Sequence, residues 1–562
     1  MGKMVVLGNE IFDDFIRENG CYIDKTELVY ELAAKNRNKV TLITRPRRFG
    51  KTLAMSMMES FFDIRRDSRG VFQGLRISEN HPDFCKEWMN QYPVLFLSLK
   101  DVAGMTFEEA YEMLVGEIAK LCIRFAELKN EAKVIAADQA VFDRLMYKKA
   151  SKEEIKNSLQ TIMRMMKTVY GKPVILLIDE YDVPLARARD SKDPEYYQKM
   201  LDVIRGILSI SLKTNEYLKF AVITGCLRIS KESIFTGVNN FACYSVTSGK
   251  FSPYFGFTEN ETAEMLGEFG LSDKMDLIRK WYDGYIFGDT EVFCPWDVTN
   301  YVADVLYNRD ERPKNYWANT SSNAILDEFV NQEKMDVAEK FEVLLNGGTI
   351  TEEISEDLTY EHIGDSEKNL WSVLLMTGYL SKADKSLSDD RIKLRIPNAE
   401  ITGLFVKSVA ERFHRTLEPH HADAFVTAMW NRDEQTASEM LSKILWNSIS
   451  YFDYGEEYYH GMLNGIFSSR GYGVDSNDEA GLGRLDLRVR DRRNRRVLLL
   501  EFKRSREIED LDSDCESAIR QIYEKGYDKG LPEGYEVQLV YGIAFHAKTA
   551  RVKCAEVGAG SH

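Results

Sequence analysis

Lys39-Val-Thr-Leu-Ile-Thr44 runs directly into Arg45-Pro46-Arg47-Arg48-Phe49-Gly50-Lys51-Thr52. The first six residues have the composition of a short buried strand. Thr52–Asp63 carries Leu53, Met57, Phe61 and Phe62 at helical spacing. A strand, a loop ending Gly-Lys-Thr and a helix form the context of a phosphate-binding loop. Helix N-terminal N–H groups face the anion, Gly50 lets the backbone approach, and Lys51 can reach the outer phosphates. Thr52 offers a hydroxyl to Mg²⁺. Arg45 stands where the usual pattern has its first glycine, and Pro46 removes one N–H donor. Arg45 and Arg48 are counted with the loop as candidate nucleotide contacts. Taken alone, the same string also suits a basic turn before a helix.

A second motif supports the loop. Val174-Ile-Leu-Leu-Ile178 leads into Asp179-Glu180, with Asp182 just beyond. An apolar strand ending this way places a Mg²⁺-linked carboxylate, Asp179, beside a general base for water, Glu180. Phe220–Thr224 reads as a neighbouring strand, with Thr224 as a sensor of the γ-phosphate and Arg228 as a charge stabiliser. Val94–Leu99 is a further strand, and Phe107–Leu128 and Lys152–Tyr170 are long helices. Strands separated by helices predict a mainly parallel, doubly wound α/β sheet.

The 562 residues are enough for three or four domains, and 44% are hydrophobic and 29% charged, as in an ordinary globular protein. No apolar run approaches the roughly 20 residues of a membrane helix, and the apolar stretch near Met1 is too short for the secretion signal that would be expected of an exported chain. Eight cysteines stand singly, which predicts reduced thiols, a cytoplasmic location and no zinc module. Three domains are expected, over 1–257, 258–400 and 401–562. The middle one reads as helical; a helix at Asn369–Gly378 before strands at Tyr379–Ser381 and Arg391–Ile396 suits a winged-helix module.

Net charge is −15, from 74 Lys and Arg against 89 Asp and Glu, which opposes non-specific coating of nucleic acid. Between Arg484 and Arg506, however, ten Arg or Lys face three acids. Within that run, Gly483–Val489 alternates, and Val497-Leu-Leu-Leu-Glu501-Phe-Lys503 is an apolar strand with charge at its end. If Arg493 and Asn494 centre the turn, paired positions sum to 987 and Asp486 lies opposite Glu501, about 5 Å away. Lys503 shares a face with Glu501. Two carboxylates on one divalent ion and a lysine beside the scissile phosphate suit phosphodiester hydrolysis. Glu456 and His460, four apart on a helix, offer a further metal contact; Gln521 and Tyr527 are accessories downstream. The plain alternative is a hairpin with cross-strand ion pairs. Further strands are expected at Arg484–Arg490, Arg496–Lys503 and Glu536–Phe545, with a helix over Cys515–Gly526.

Tyr22-Ile-Asp-Lys-Thr26, Arg45–Thr52, Leu177-Ile-Asp-Glu-Tyr-Asp182, Trp281-Tyr-Asp-Gly-Tyr285 and Tyr316-Trp-Ala-Asn-Thr320 resemble a bacterial family of AAA-ATPase-like proteins with a C-terminal PD-(D/E)XK-type nuclease domain. Tyr459-His460, Gly483-Arg-Leu-Asp486 and Glu501-Phe-Lys503 are similar to the signature of that second domain. The resemblance implies that Arg45 is a family trait, that the C-terminal domain is a restriction-endonuclease-like α/β/α fold, and that Asp486, Glu501 and Lys503 are catalytic. It implies ATP and Mg²⁺ or Mn²⁺ as cofactors and nucleic acid, DNA before RNA, as the substrate. ATP gating of cleavage is expected, and homo-oligomerisation is open. Two rivals stay open: a non-cleaving nucleotide-dependent switch that binds nucleic acid or a protein, and a constitutive nuclease with a dead phosphate loop.

Overall fold

A computed structural model describes residues 3–35, 38–228, 241–317, 338–358, 366–385, 391–416, 419–448, 456–480, 483–527, 535, 537–546 and 548–555. The chain divides into two compact units, one of residues 1–321 with 351–400, the other of residues 322–350 with 401–562.

The first unit is built on five strands: β1 (Val40–Thr44), β2 (Val94–Ser98), β3 (Val174–Asp179), β4 (Leu218–Gly225) and β5 (Phe241–Tyr244). They lie in the order β2-β3-β4-β1-β5, all parallel. Helices cover such sheets, so β1 and β3 are buried throughout, and β3 is apolar up to Asp179. The helix Lys51–Phe62 buries Met55, Met58, Phe61 and Phe62 against Ile43, Val94, Ile175 and Val222. Ser151 and Glu154 form a capping box that starts the helix Lys152–Tyr170, and Gly171, at φ 69°, ends it. The helix expected over Phe107–Leu128 stops at Arg124 and continues as a 3₁₀ turn, Ala126–Asn130. β5 was not foreseen: its four residues carry no long apolar run and are only half-buried, and it is defined by pairing with β1.

After β5 the unit adds the hairpin of β6 (Tyr285–Phe287) and β7 (Thr290–Val292). A small sheet follows, β8 (Ile350–Glu353), β9 (Ser381–Lys382) and β10 (Arg391–Arg395), in the order β8-β10-β9. The helix Glu367–Thr377 precedes β9 and ends on Gly378 at φ 90°. A helix followed by two antiparallel strands is thus present where the winged-helix reading expected it. Gly284 has φ 92°, and a Cβ there would meet the Pro397 carbonyl oxygen at 2.1 Å. Only glycine fits at that point of the Trp281–Tyr285 string.

The second unit holds the helices Pro419–Asn431, Glu434–Ser448 and Glu456–Ser468. A mixed sheet follows, β11 (Gly473–Ala480), β12 (Gly483–Asp491), β13 (Arg496–Arg504), β14 (Val537–His546) and β15 (Thr549–Cys554), in that spatial order. β13 and β14 are parallel and joined through the helix Leu511–Lys525; the other pairs are antiparallel. A Cβ on Gly542 would lie 2.1 Å from the Cys515 carbonyl oxygen, so this helix seats tightly on β14. β11 and β15, at the two edges, were not foreseen. β11 is polar, Gly-Val-Asp-Ser-Asn-Asp-Glu-Ala, and its backbone ladder with β12 defines it. Among the described residues no helix is long and apolar enough to cross a membrane.

Candidate active sites

In the first unit, Arg48 (φ 72°) and Gly50 (φ 83°) are both left-handed, which folds the loop after β1 back on the first turn of Lys51–Phe62. Nothing lies within 4 Å of where a Gly50 Cβ would be, so its backbone angle selects glycine, not crowding. The Lys51 ammonium donates to the carbonyl oxygens of Arg45 at 3.0 Å and Pro46 at 2.9 Å. It is buried and held across the mouth of its own loop. Thr52 Oγ1 donates to Asp179 Oδ2 at 2.7 Å, and the Thr224 hydroxyl donates to the other Asp179 oxygen. Three residues named from sequence thus meet, Thr52 from the first turn of Lys51–Phe62, Asp179 from the end of β3 and Thr224 from the end of β4.

Asp179 is fully buried, and burial pushes its carboxyl pKa up against the pull of the two hydroxyls and Lys51. Glu180 follows in a left-handed conformation (φ 51°), and burial raises its pKa too, against Lys51. A carboxylate raised by desolvation and set beside a lysine has the electrostatics of a general base. Asp182 Oδ2 accepts from the backbone N–H groups of Cys226 at 3.0 Å and Leu227 at 2.9 Å, tying the end of β3 to the end of β4.

Arg47, Arg48, Lys51, Thr52 and Glu180 border a cavity of about 450 Å³, a volume in the range of small-molecule sites. Its other wall is apolar: Val5, Val6 and Leu7 from the N-terminal segment, with Met57, Phe257 and Met265. Trp296 also lines it, and the Arg48 guanidinium lies 4.2 Å from the centre of that indole. Sequence reading missed this wall, whose residues come from segments far apart along the chain and mostly outside the quoted motifs.

Two expected contacts are placed elsewhere. Arg45 does not face the cavity. It is fully buried, Nη1 donates to the carbonyls of Thr44 at 2.8 Å and Tyr244 at 3.0 Å, and its guanidinium lies over Phe255 and Phe287. Burial lowers its pKa to about 9. It fastens the root of the loop to β5, which explains why arginine replaces glycine without making a phosphate ligand. Arg228 pairs with Asp357 at 2.9 Å and Glu356 at 3.8 Å, and it does not line the cavity. Arg45→Gly, which restores the usual pattern, is therefore expected to destabilise the fold by about 2–4 kcal/mol through the cavity and the lost bonds to the ends of β1 and β5. A denaturant midpoint equal to the parent's would contradict that role.

In the second unit, the ladder of β12 and β13 pairs Leu487 with Leu500 and Asp491 with Arg496, so positions sum to 987. Asp491 accepts from the Asn494 backbone N–H at 3.1 Å and from Arg496 Nε at 2.9 Å, closing the turn with Arg495 left-handed. The next pair in this register is Asp486 and Glu501. The Asp486 N–H lies 3.5 Å from Glu501 Oε2, and Asp486 Oδ2 accepts from the Phe502 N–H at 2.8 Å. Lys503 Nζ donates to Gln521 Oε1 at 2.7 Å, and the Gln521 amide donates to Glu501 Oε1. Asp486, Glu501, Lys503 and Gln521 therefore form one connected group, with Glu501 buried at 2% exposure. Burial raises the Asp486 pKa, partly offset by the Phe502 N–H and Lys503.

The accessories divide. His460 Nε2 is 2.6 Å from the Asp486 carbonyl oxygen, and it braces the strand that carries the carboxylate. Tyr459 stacks on Phe545 at 3.9 Å, and Tyr527 sits in the core beside Leu485 and Ile522. Glu456 begins its helix, but its side chain lies outside the described residues. Among the described residues no group of three or more His, Cys, Asp or Glu is arranged around a metal. The donor set nevertheless fits a hard divalent cation: two adjacent carboxylates, one almost fully buried and the other raised by desolvation, are the oxygen ligands such ions take.

A parallel sheet with a Gly-Lys-Thr loop and an Asp-Glu strand end defines a nucleoside-triphosphatase fold, and a mixed sheet with paired acids and lysine on β12 and β13 defines a restriction-endonuclease-like one. Residues 6–235 match the family described as predicted AAA-ATPase, and residues 454–555 match the PD-(D/E)XK nuclease superfamily. The chain carries a domain of each kind, and the pair marks a nucleotide-binding, nuclease-superfamily protein in general terms. An uncharacterized protein from the vnfD 5′ region of Azotobacter chroococcum mcd 1 is 24% identical over 537 residues, covering 93% of this chain and 92% of that one. A Walker-type ATPase of Pyrococcus abyssi is similar with a TM-score of 0.39 and 12% identity, over 72% of this chain and 99% of its own.

Proposed function

We propose that the protein binds ATP in the 450 Å³ cavity and cleaves nucleic acid, DNA in the first instance, at the Asp486–Glu501–Lys503 group. The observation that carries the nuclease reading is the continuous hydrogen-bonded chain Lys503–Gln521–Glu501, with Asp486 beside it. An ordinary cross-strand ion pair would bring Lys503 directly onto a carboxylate. Here a neutral amide stands between them, leaving carboxylate oxygens for a cation and an ammonium for phosphate.

Asp486 and Glu501 would hold Mg²⁺ or Mn²⁺, which when bound polarises the scissile phosphate and lowers the pKa of a water. Gln521 orients both Glu501 and Lys503. Lys503 stabilises the charge that develops on the phosphoryl oxygens. The exposed turn Arg492–Arg495 tracks the backbone of the strand, giving a local positive field to an acidic protein.

At the other site the triphosphate would draw Lys51 off the Arg45 and Pro46 carbonyls, Thr52 and Asp179 would share Mg²⁺, and Glu180 would take a proton from the attacking water. We further propose that this rearrangement gates cutting, and that the protein works in the cytoplasm, a reading supported by eight free thiols. Supercoiled plasmid incubated with the full chain and Mg²⁺ or Mn²⁺, with and without ATP, tests the reading. Metal-dependent nicking is expected. No cutting with either ion, alongside retained DNA binding, would favour a non-cleaving switch. Cutting without measurable ATP affinity would favour a constitutive nuclease.

A further inference from the structure

Hydrolysis at the phosphate loop needs positive charge beyond Lys51 where the terminal phosphoryl group departs. The other cations of the cavity wall are engaged. Lys25 is held by Glu261 at 2.7 Å and by the Pro253 carbonyl at 2.6 Å. Lys100 pairs with Glu10, Arg48 lies on Trp296, and Arg47 has contacts of its own. Arg228 is outside the cavity wall on Asp357.

Arg187 differs from all of these. It lies on the helix Val183–Asp190, which begins directly after Asp182 and is set by Pro184 in its first turn. Val183, Leu185 and Ala188 of that helix are buried, so its position is fixed by packing. Arg187 lines the same cavity as Lys51, Thr52 and Glu180. Its Nε is buried without a hydrogen-bond partner, and no acid pairs with its guanidinium among the described residues. An unpartnered buried donor costs free energy that an incoming acceptor recovers.

We propose that Arg187 contacts the γ-phosphoryl group of bound nucleoside triphosphate and stabilises its transfer, supplied in cis by the helix that follows Asp179-Glu180. The guanidinium fork matches two phosphoryl oxygens at once, which a single ammonium cannot. The inference rests on the nucleotide reading of the cavity. Because the γ-phosphoryl group is what ADP lacks, Arg187 should separate triphosphate from diphosphate.

The test is calorimetric titration of the full-length parent, Arg187→Gln and Arg187→Lys with ATPγS and with ADP, followed by ATP turnover. Arg187→Gln is expected to weaken ATPγS about 10-fold or more while ADP changes less than about 3-fold, and to lower turnover about 10³-fold. Arg187→Lys, keeping the charge without the fork, should fall between the two. An unchanged ATPγS-to-ADP ratio with unchanged turnover overturns the proposal, as does an equal loss of both nucleotides, which would mark a structural role. A parent chain that binds neither nucleotide would instead overturn the reading of the cavity, and this inference with it.

Discussion

Asp486→Ala is expected to lower metal-dependent cleavage at least 10³-fold while leaving the fold intact. Two effects separate in this variant. The catalytic one is large, because Asp486 is half of the carboxylate pair proposed to hold the cation, and removing it would remove the charge stabilisation of the whole step. The structural one is small. The bond from the Phe502 N–H is lost, at about 1 kcal/mol, but a carboxylate that burial disfavours goes with it. The sign follows from the raised pKa. The folded state holds the Asp486 proton more tightly than the unfolded chain, so this group's contribution falls as pH rises above the usual carboxylate range. The parent is therefore expected to lose stability through this group as pH rises through that window, and Asp486→Ala to lose less. Mn²⁺ gives a readout independent of cutting: it should raise the parent's melting temperature and leave the variant's unchanged, since only the parent gains binding free energy in the folded state. A variant that cuts at the parent's rate would sink the nuclease assignment.

Lys51→Ala should reduce ATP affinity about 10–100-fold. The ammonium now donates to the Arg45 and Pro46 carbonyls, two charge-assisted bonds within the loop. Triphosphate offers stronger acceptors at the same place, and a charge-assisted bond of about 1.5–3 kcal/mol corresponds to roughly a 10–100-fold change. Lys51 also lowers the pKa of Asp179 and Glu180, so its loss should carry both carboxyls further upward and suppress any residual turnover. If nucleotide gates cleavage, Lys51→Ala should cut plasmid at the parent's ATP-free rate whatever the ATP concentration. Parent-like ATP affinity in the variant would refute the phosphate-loop reading outright. An ATP response retained by a variant that no longer binds ATP at the loop would refute the gating alone.

The sheet of the first unit was legible because strands buried on both faces have little choice of composition. Lys39–Thr44, Val94–Leu99, Val174–Ile178 and Phe220–Thr224 all coincide with observed strands to within two residues. The hairpin itself was legible in Asp491-Arg-Arg-Asn-Arg-Arg496 between two apolar strands, while its register was assumed from a turn centred on Arg493 and Asn494; the observed ladder has that register. β5, β11 and β15 were not: β5 is only four residues long and β11 is polar, and all three are defined by their pairing with β1, β12 and β14.

Side-chain direction marks the same divide. The sequence by itself determined that a glycine and a lysine open a helix after a buried strand, that two acids end another, and that an acid and a lysine alternate on a third. These are local matters of backbone angle and period. Only the tertiary structure decided that Arg45 turns inward to β5, that Arg228 is taken by Glu356 and Asp357, and that Arg187 and Trp296 reach the cavity instead. A long cationic side chain can reach several directions from one Cα, and the choice belongs to partners that lie far away along the chain.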